Sequence, residues 1–201
     1  TITTVEAPVQ QYGGYVELSD LVVMTAIDNN LVIAAKQLGA QAGKTLDAIT
    51  REVLAGGTNV QYAEGQVTSR DKLVGGAETG NHYLTVDAVR RAVRTLKKQN
   101  AEPIGDSYIG IIHPDVAYDL MSDPKWVNVK SYSDPDGIYE GEIGKIENVR
   151  FVETSEAKVF EGAGAAGRDV YATLILGDNA YGTTEIEGGG LTLIVKQLGS
   201  G

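Results

Sequence analysis

Cysteine is absent from the 201 residues, which excludes disulfides and thiolate metal sites, so any cross-linking of this chain must do without thiols. Proline is scarce, at five residues, and there is one tryptophan. No apolar run approaches the roughly 18 to 20 residues needed to span a bilayer. The opening stretch TITTVEAPVQQYGGY has neither the charged nor the apolar part of a signal peptide, and the expectation is a soluble chain. Positive charge is also short. Seventeen Lys and Arg face 27 Asp and Glu, a net charge of -10, which argues against a protein whose whole surface grips nucleic acid. Local basic patches stay open.

Glycine is abundant instead. Twenty-five glycines stand well above the roughly 7% of average usage, so tight turns and loops are expected. Gly13-Gly14, Gly56-Gly57, Gly75-Gly76 and Gly188 to Gly190 mark segment boundaries. With 42% apolar residues the chain has enough to build a core, in one large domain or two small lobes.

Helical periodicity opens the chain. From Ser19, a good N-cap, apolar residues recur at Val22, Val23, Ala26, Ile27, Leu31, Ala34, Ala35 and Leu38, with a break expected at Asp28-Asn29-Asn30. A second helix is expected from Thr45, after Gly43, carrying Leu46, Ile49, Val53 and Leu54 and stopping at Gly56-Gly57. Next comes a polar, glycine-punctuated stretch, TNVQYAEGQVTSRDKLVGGAETGNHY. It is too long for a structureless loop inside a compact domain and should reach out to something.

Thr85 caps VDAVRRAVRTLKKQNAEP, where Val86, Val89, Val93 and Leu96 make a narrow apolar stripe among Arg90, Arg91, Arg94, Lys97 and Lys98. Beyond Pro103, SYIGII reads as a strand, PDVAYDLMSD as a short helix, and VRFVE, KVF, DVYATLIL, YGTTEI and LTLIVK as strands. Helices first and strands later indicate an α+β fold.

Three motifs look like chemistry and fail on geometry. His113-Pro114-Asp115 resembles the tripeptide of J-domain co-chaperones, but it sits between a strand and a helix start, where proline at the first helical position is ordinary. Gly43-Lys44-Thr45 resembles a phosphate-binding loop, yet Leu38 stands where the first glycine is needed and Gly39 is one residue too close. A nucleotide-binding enzyme using this degenerate loop, Gly39 to Thr45, is the alternative reading. Gly162 to Gly167, GAGAAG, matches a dinucleotide fingerprint literally, but Arg168 leads into a β-rich run rather than a helix. His82, in the glycine-rich loop, offers no ligand spacing. No catalytic, cofactor-binding or metal-ligating residue is expected, and no enzyme activity.

The ordered set YVELSDLVVMTAID, LGAQAGKTLDAITREVLAGGTNVQYA, LTVDAVRRAVRTLKKQNAEPI, IIHPDVAYDLMSDPKWVNV, GEIGKIENVRFVET and YATLILGDNAYGTTEIEGGGLTLIVKQLGSG resembles the major capsid proteins of the coliphage N-four type. The resemblance covers nearly the whole chain and implies the HK97-type phage capsid fold of tailed double-stranded DNA viruses. It assigns residues 1–57 to an N-terminal arm and helical region and 58–84 to an extended loop. Residues 85–106 become the spine helix of a peripheral domain, 107–190 mainly an axial domain, and 191–201 the start of a return strand in a chain expected to continue.

The implied role is a shell subunit without cofactors, assembled with copies of itself into hexamers and pentamers in the host bacterial cytoplasm, and located in the virion. Portal, scaffold or decoration proteins and packaged DNA at the inner face are the further partners implied, with no membrane. The loop residues Tyr62, Leu73, Val74 and Tyr83 are expected as apolar anchors between subunits, with Arg70, Asp71 and Lys72 supplying polar register. Arg90, Arg91, Arg94, Lys97 and Lys98 are expected to pair with acidic neighbours or to face DNA. The loop's own residues bury too little apolar surface to hold one conformation, so a neighbour is expected to order it.

Overall fold

The computed structural model describes residues 9–25, 29–63, 67–75, 82–126, 142–183 and 193–194. The chain divides into two units, Thr1–Ile49 with Tyr181–Gly201, and Thr50–Ala180.

In the first unit, α1 spans Asp20–Thr25, and Ser19 Oγ accepts from the Val22 amide at 3.4 Å, as its capping role requires. Of the expected break, Asp28 lies outside the described residues and Asn29 is not helical; α2 then spans Asn30–Ala55, its residues from Thr50 on belonging to the second unit. Asn29 opens it: its carbonyl accepts from Val32 and Ile33 at 3.1 and 3.2 Å. The expectation of a separate helix from Thr45 does not hold, because α2 runs unbroken through Gly39 and Gly43. Each interior glycine costs a helix about 1 kcal/mol against alanine, too little to break a run with good helix formers on both sides. Thr45 Oγ1 donates back to the Gln41 carbonyl at 2.8 Å, one turn earlier. The Gly56-Gly57 stop is as expected, with the Gly56 amide closing on the Glu52 carbonyl at 2.9 Å.

The second unit is built on a four-stranded sheet. Its strands are β1 (Tyr108–Ile112), β2 (Glu142–Ile146), β3 (Val149–Glu153) and β6 (Leu174–Leu176), in the order β2-β3-β1-β6. β2 and β3 form a hairpin whose two turn residues, Glu147 and Asn148, have φ of 48° and 70°, the conformation that two-residue hairpins demand. β1 runs parallel to β3, with Tyr108 opposite Val149 and Gly110 opposite Phe151, and antiparallel to β6. A parallel partner needs a crossover, and α4 (Pro114–Met121) lies in that connection.

DVYATLIL, expected as one strand, divides in two. Its first part is β5 (Val170–Tyr171), which pairs with β4 (Val159–Phe160) in a separate antiparallel hairpin. Its second part, β6, joins the main sheet. One run of β-formers therefore serves two sheets, and strand propensity cannot mark where it changes partner. Within the expected strand YGTTEI, Tyr181 to Thr183 is not strand, and its remainder lies outside the described residues, as does most of LTLIVK.

Burial follows from these pairings. α3 (Val86–Lys98) contributes Val86, Val89 and Val93 to the core. The sheet adds Tyr108, Ile112, Ile146, Val149 and Phe151, and α4 adds Val116, Ala117 and Leu120, with Trp126 beside them. Two caps fix the start of α3: Thr85 Oγ1 accepts from Ala88 N, and Asp123 Oδ2, just past α4, accepts from Val86 N at 2.9 Å. The apolar stripe of the basic helix is thus its core face, and the charges necessarily point elsewhere.

Candidate functional site

The three motifs resolve into local structure. His113 is the N-cap of α4, its Nδ1 accepting from the Asp115 amide at 3.2 Å, with Pro114 as the first helical residue. Its ring lies 4.9 Å from that of Tyr171. Gly43-Lys44-Thr45 is helix interior, so its backbone N–H groups are taken by the helix ladder and cannot cradle phosphates. Gly162 to Gly167 links β4 to β5. Gly164 is required there: a Cβ would stand 2.9 Å from the Arg168 carbonyl oxygen and 3.2 Å from that of Leu73.

Two substitutions test this. Lys44→Ala is expected to leave stability and self-assembly unchanged, with no ATP binding before or after it by calorimetry. His113→Ala is expected to cost about 0.5–2 kcal/mol, the worth of an N-cap, seen as a lower thermal midpoint with assembly retained. Micromolar ATP binding lost with Lys44 would overturn the first expectation.

The long loop is anchored on its own chain. Gln61 Nε2 donates to the Ala88 carbonyl at 2.9 Å, and Asn59 reaches Gln99 at 3.2 Å, so the loop's start runs along α3. Tyr62, beside Gln61, is half-buried. Residues 67–75 lie against the β4–β5 hairpin. A short 3-10 turn, Arg70–Lys72, places the Arg70 guanidinium 3.7 Å over the Phe160 ring, and Leu73 O accepts from Ala165 N at 2.9 Å. Lys158 Nζ lies 5.2 Å from the same ring and pairs with Glu52 Oε2 at 2.7 Å. Arg51 bonds the Glu156 carbonyl.

The two arms of the loop are then tied together. Val74 N donates to His82 Nδ1 at 2.9 Å, and His82 N donates to Val74 O at 3.0 Å. The expectation that only a neighbour could order this loop is therefore corrected for residues 67–75. A cation over an aromatic face and backbone bonds to the hairpin supply what its few apolar side chains cannot. Asp71, Lys72 and Val74 remain exposed, Leu73 is half-buried, and Tyr83 is 39% exposed.

Glu52 is held below the ordinary glutamate range, first by its hydrogen bond from Lys158 and then by the charges of Lys158 and Arg51, against some desolvation. A depressed folded-state pKa gives stability that is present above the unfolded value and lost as pH falls through the folded one. Unfolding followed from neutral to acid pH at low salt is therefore expected to show a shallower acid limb for Glu52→Gln than for the parent. Equal slopes would show that the pair contributes nothing.

On α3 the five cations are not equivalent. Arg90 donates to Glu147 Oε1 at 2.6 Å and lies 3.5 Å from Asp87. Asp87 also pairs with Lys125, and that hydrogen bond is the main cause holding its carboxyl below the usual range. Arg91 is half-buried and has an interaction of its own. Arg94, Lys97 and Lys98 are exposed, and their side chains make no hydrogen bond or ion pair among the described residues. Arg90, Val93, Arg94 and Lys97 form one wall of an open groove, and Glu147 and Asn148 of the β2–β3 turn form the other.

Sequence reasoning missed Glu52, Lys158, Phe160 and Glu147. Each matters through a partner on another element, and nothing in local spacing signals such pairs.

Among the described residues these surfaces are exposed faces, paired charges and a tethered loop. The description "Phage capsid protein" matches residues 2–196, and the chain belongs to that family. Among solved structures the chain is similar to the capsid of Ralstonia phage GP4, with 16% identity and a TM-score of 0.54 over 79% of this chain and 54% of that one. The chain spans about half the length of that protein, and at this identity the likeness concerns the fold. No curated protein sequence matches.

Proposed function

We propose that this chain is a shell-forming major capsid subunit of the coliphage N-four type. It takes the HK97-type fold and assembles with copies of itself, as hexamers and pentamers, into an icosahedral shell around the double-stranded DNA of a tailed phage. The observation that carries this reading is the family match over residues 2–196. On it, residues 1–57 are the arm and helical region, 58–84 the extended loop, 85–106 the spine helix, 107–190 mainly the axial domain and 191–201 the start of a return strand. A long loop leading directly into a capped, one-sided helix supports that order.

The subunit performs no catalysis and carries no cofactor. A lattice multiplies modest contacts between copies, and head-to-tail contacts that close by rotation give rings. Contacts by the exposed part of the loop and by the α3 cations belong to this proposal, as do portal, scaffold or decoration partners, DNA at the inner face and assembly in the host bacterial cytoplasm. Electron microscopy of the purified full-length protein tests it. Shells, rings or tubes are expected, and dispersed monomers at high concentration would sink it.

A further inference from the structure

The groove beside α3 and the outer face of α4 are complementary, and both belong to the second unit. Along α3, Arg90, Arg94, Lys97 and Lys98 follow one another at helical spacing, so they share one side over about 12 Å. Among the described residues only the first is paired with a carboxylate across the groove, that of Glu147. α4 presents the opposite sign. Asp115 is exposed, Asp119 lies one turn on, and Tyr118 between them is 72% exposed.

Asp115 Oδ2 accepts from the Tyr171 hydroxyl at 2.8 Å and lies 3.4 Å from His113 Nδ1. Asp169 is close enough to act on the same tyrosine. Among the described residues no lysine or arginine pairs with Asp115, Asp119 or Asp169. Burial, together with repulsion from Asp115, pushes the Asp119 carboxyl up from its ordinary value. Among the described residues this face therefore stays net acidic.

Resting on the capsid reading above, we infer that Arg94, Lys97 and Lys98 of one copy dock on the Asp115–Tyr118–Asp119 face of α4 in a second copy. Three observations favour a second copy over nucleic acid. Glu147 stands in the groove wall, where a carboxylate would repel phosphate but suits a mixed protein surface. Arg90 already donates to a carboxylate there. Copies carrying a net charge of -10 repel at long range, so contact is favoured where opposite patches meet. Tyr118, large, exposed and flanked by carboxylates, has the makings of a contact hot spot and an aromatic face for a cation. The two patches differ, so the contact is head-to-tail, the kind that makes rings when rotation closes it.

The test uses the full chain, with self-association measured by sedimentation at low salt. Arg94→Glu with Lys97→Glu, and separately Asp119→Lys, are each expected to weaken association at least about tenfold, with the folded-state spectrum kept. Asp115→Asn with Tyr118→Ala serves as a second α4 variant should the Asp119→Lys change disturb the helix. Combining Arg94→Glu, Lys97→Glu and Asp119→Lys in one chain is expected to recover most of the loss, because the reversed groove then meets a reversed face. Variants that associate as the parent does overturn the inference while leaving the capsid reading in place. So does a groove variant that loses only retention of a DNA duplex. A parent that stays monomeric overturns both.

Discussion

Phe151→Ala is expected to destabilise the second unit by roughly 3–5 kcal/mol, the cost of emptying a fully buried phenylalanine site. The ring is completely buried in β3 and lies across the parallel pairing from Gly110 in β1. Gly110 is glycine because of that ring: a Cβ there would stand 2.6 and 2.7 Å from two of its carbons and 2.9 Å from Val149 Cγ1. Gly110→Ala alone therefore overpacks a central strand and is expected to cost about 1–3 kcal/mol.

The two changes should not add. With the ring gone, the new methyl fills part of the cavity, and the double variant is expected to be more stable than the sum by about 1 kcal/mol or more. Trp126, the only tryptophan and a core member, reports unfolding of this unit by its fluorescence in denaturant. Either large change consumes much of the roughly 5–15 kcal/mol that holds an ordinary domain. Strict additivity would mean that the Phe151 ring does not rest on Gly110.

The α3 stripe, its Thr85 cap, the His113-Pro114 helix start and strand β1 were legible because each is a local pattern: a 3.6-residue period, a side-chain oxygen before it, a proline after a strand. What local pattern does not hold is the choice of partner. Gly43 reads as a helix stop in isolation, yet α2 passes through it, since one glycine costs less than interrupting 26 helical residues. DVYATLIL reads as one strand, yet its first half pairs with nearby β4 and its second with β1, far back in the chain. Likewise Arg70 reads as a source of polar register between subunits, and only the fold sets it on the distant Phe160 of its own chain. The sequence likewise shows that α3 is basic, but not that Arg90 is already paired while Arg94, Lys97 and Lys98 have no ion pair among the described residues.

Replacing residues 64–81 with a Gly-Ser linker is expected to leave a folded second unit that forms no shells, with particle yield reduced to background. Among the described residues, the members of the core cluster begin at Val86, with Leu84 packed against them. Keeping Asn59 and Gln61 preserves the bonds to Gln99 and Ala88 along α3. The linker removes the Arg70 contact with Phe160 and the Leu73 bond to Ala165. Both are surface interactions, the first worth about 0.5–1 kcal/mol where solvent reaches it, so stability should fall little. What it also removes is Asp71, Lys72 and Val74, presented outward from a turn that the hairpin holds still. A surface fixed before contact loses less entropy on binding than a free loop. Phe160→Ala separates the two effects: it frees the turn while keeping every loop residue, and is expected to slow assembly and raise hydrogen exchange at Ala165 without abolishing particles. A linker variant that still builds normal, stable shells would remove residues 64–81 from the assembly surface altogether.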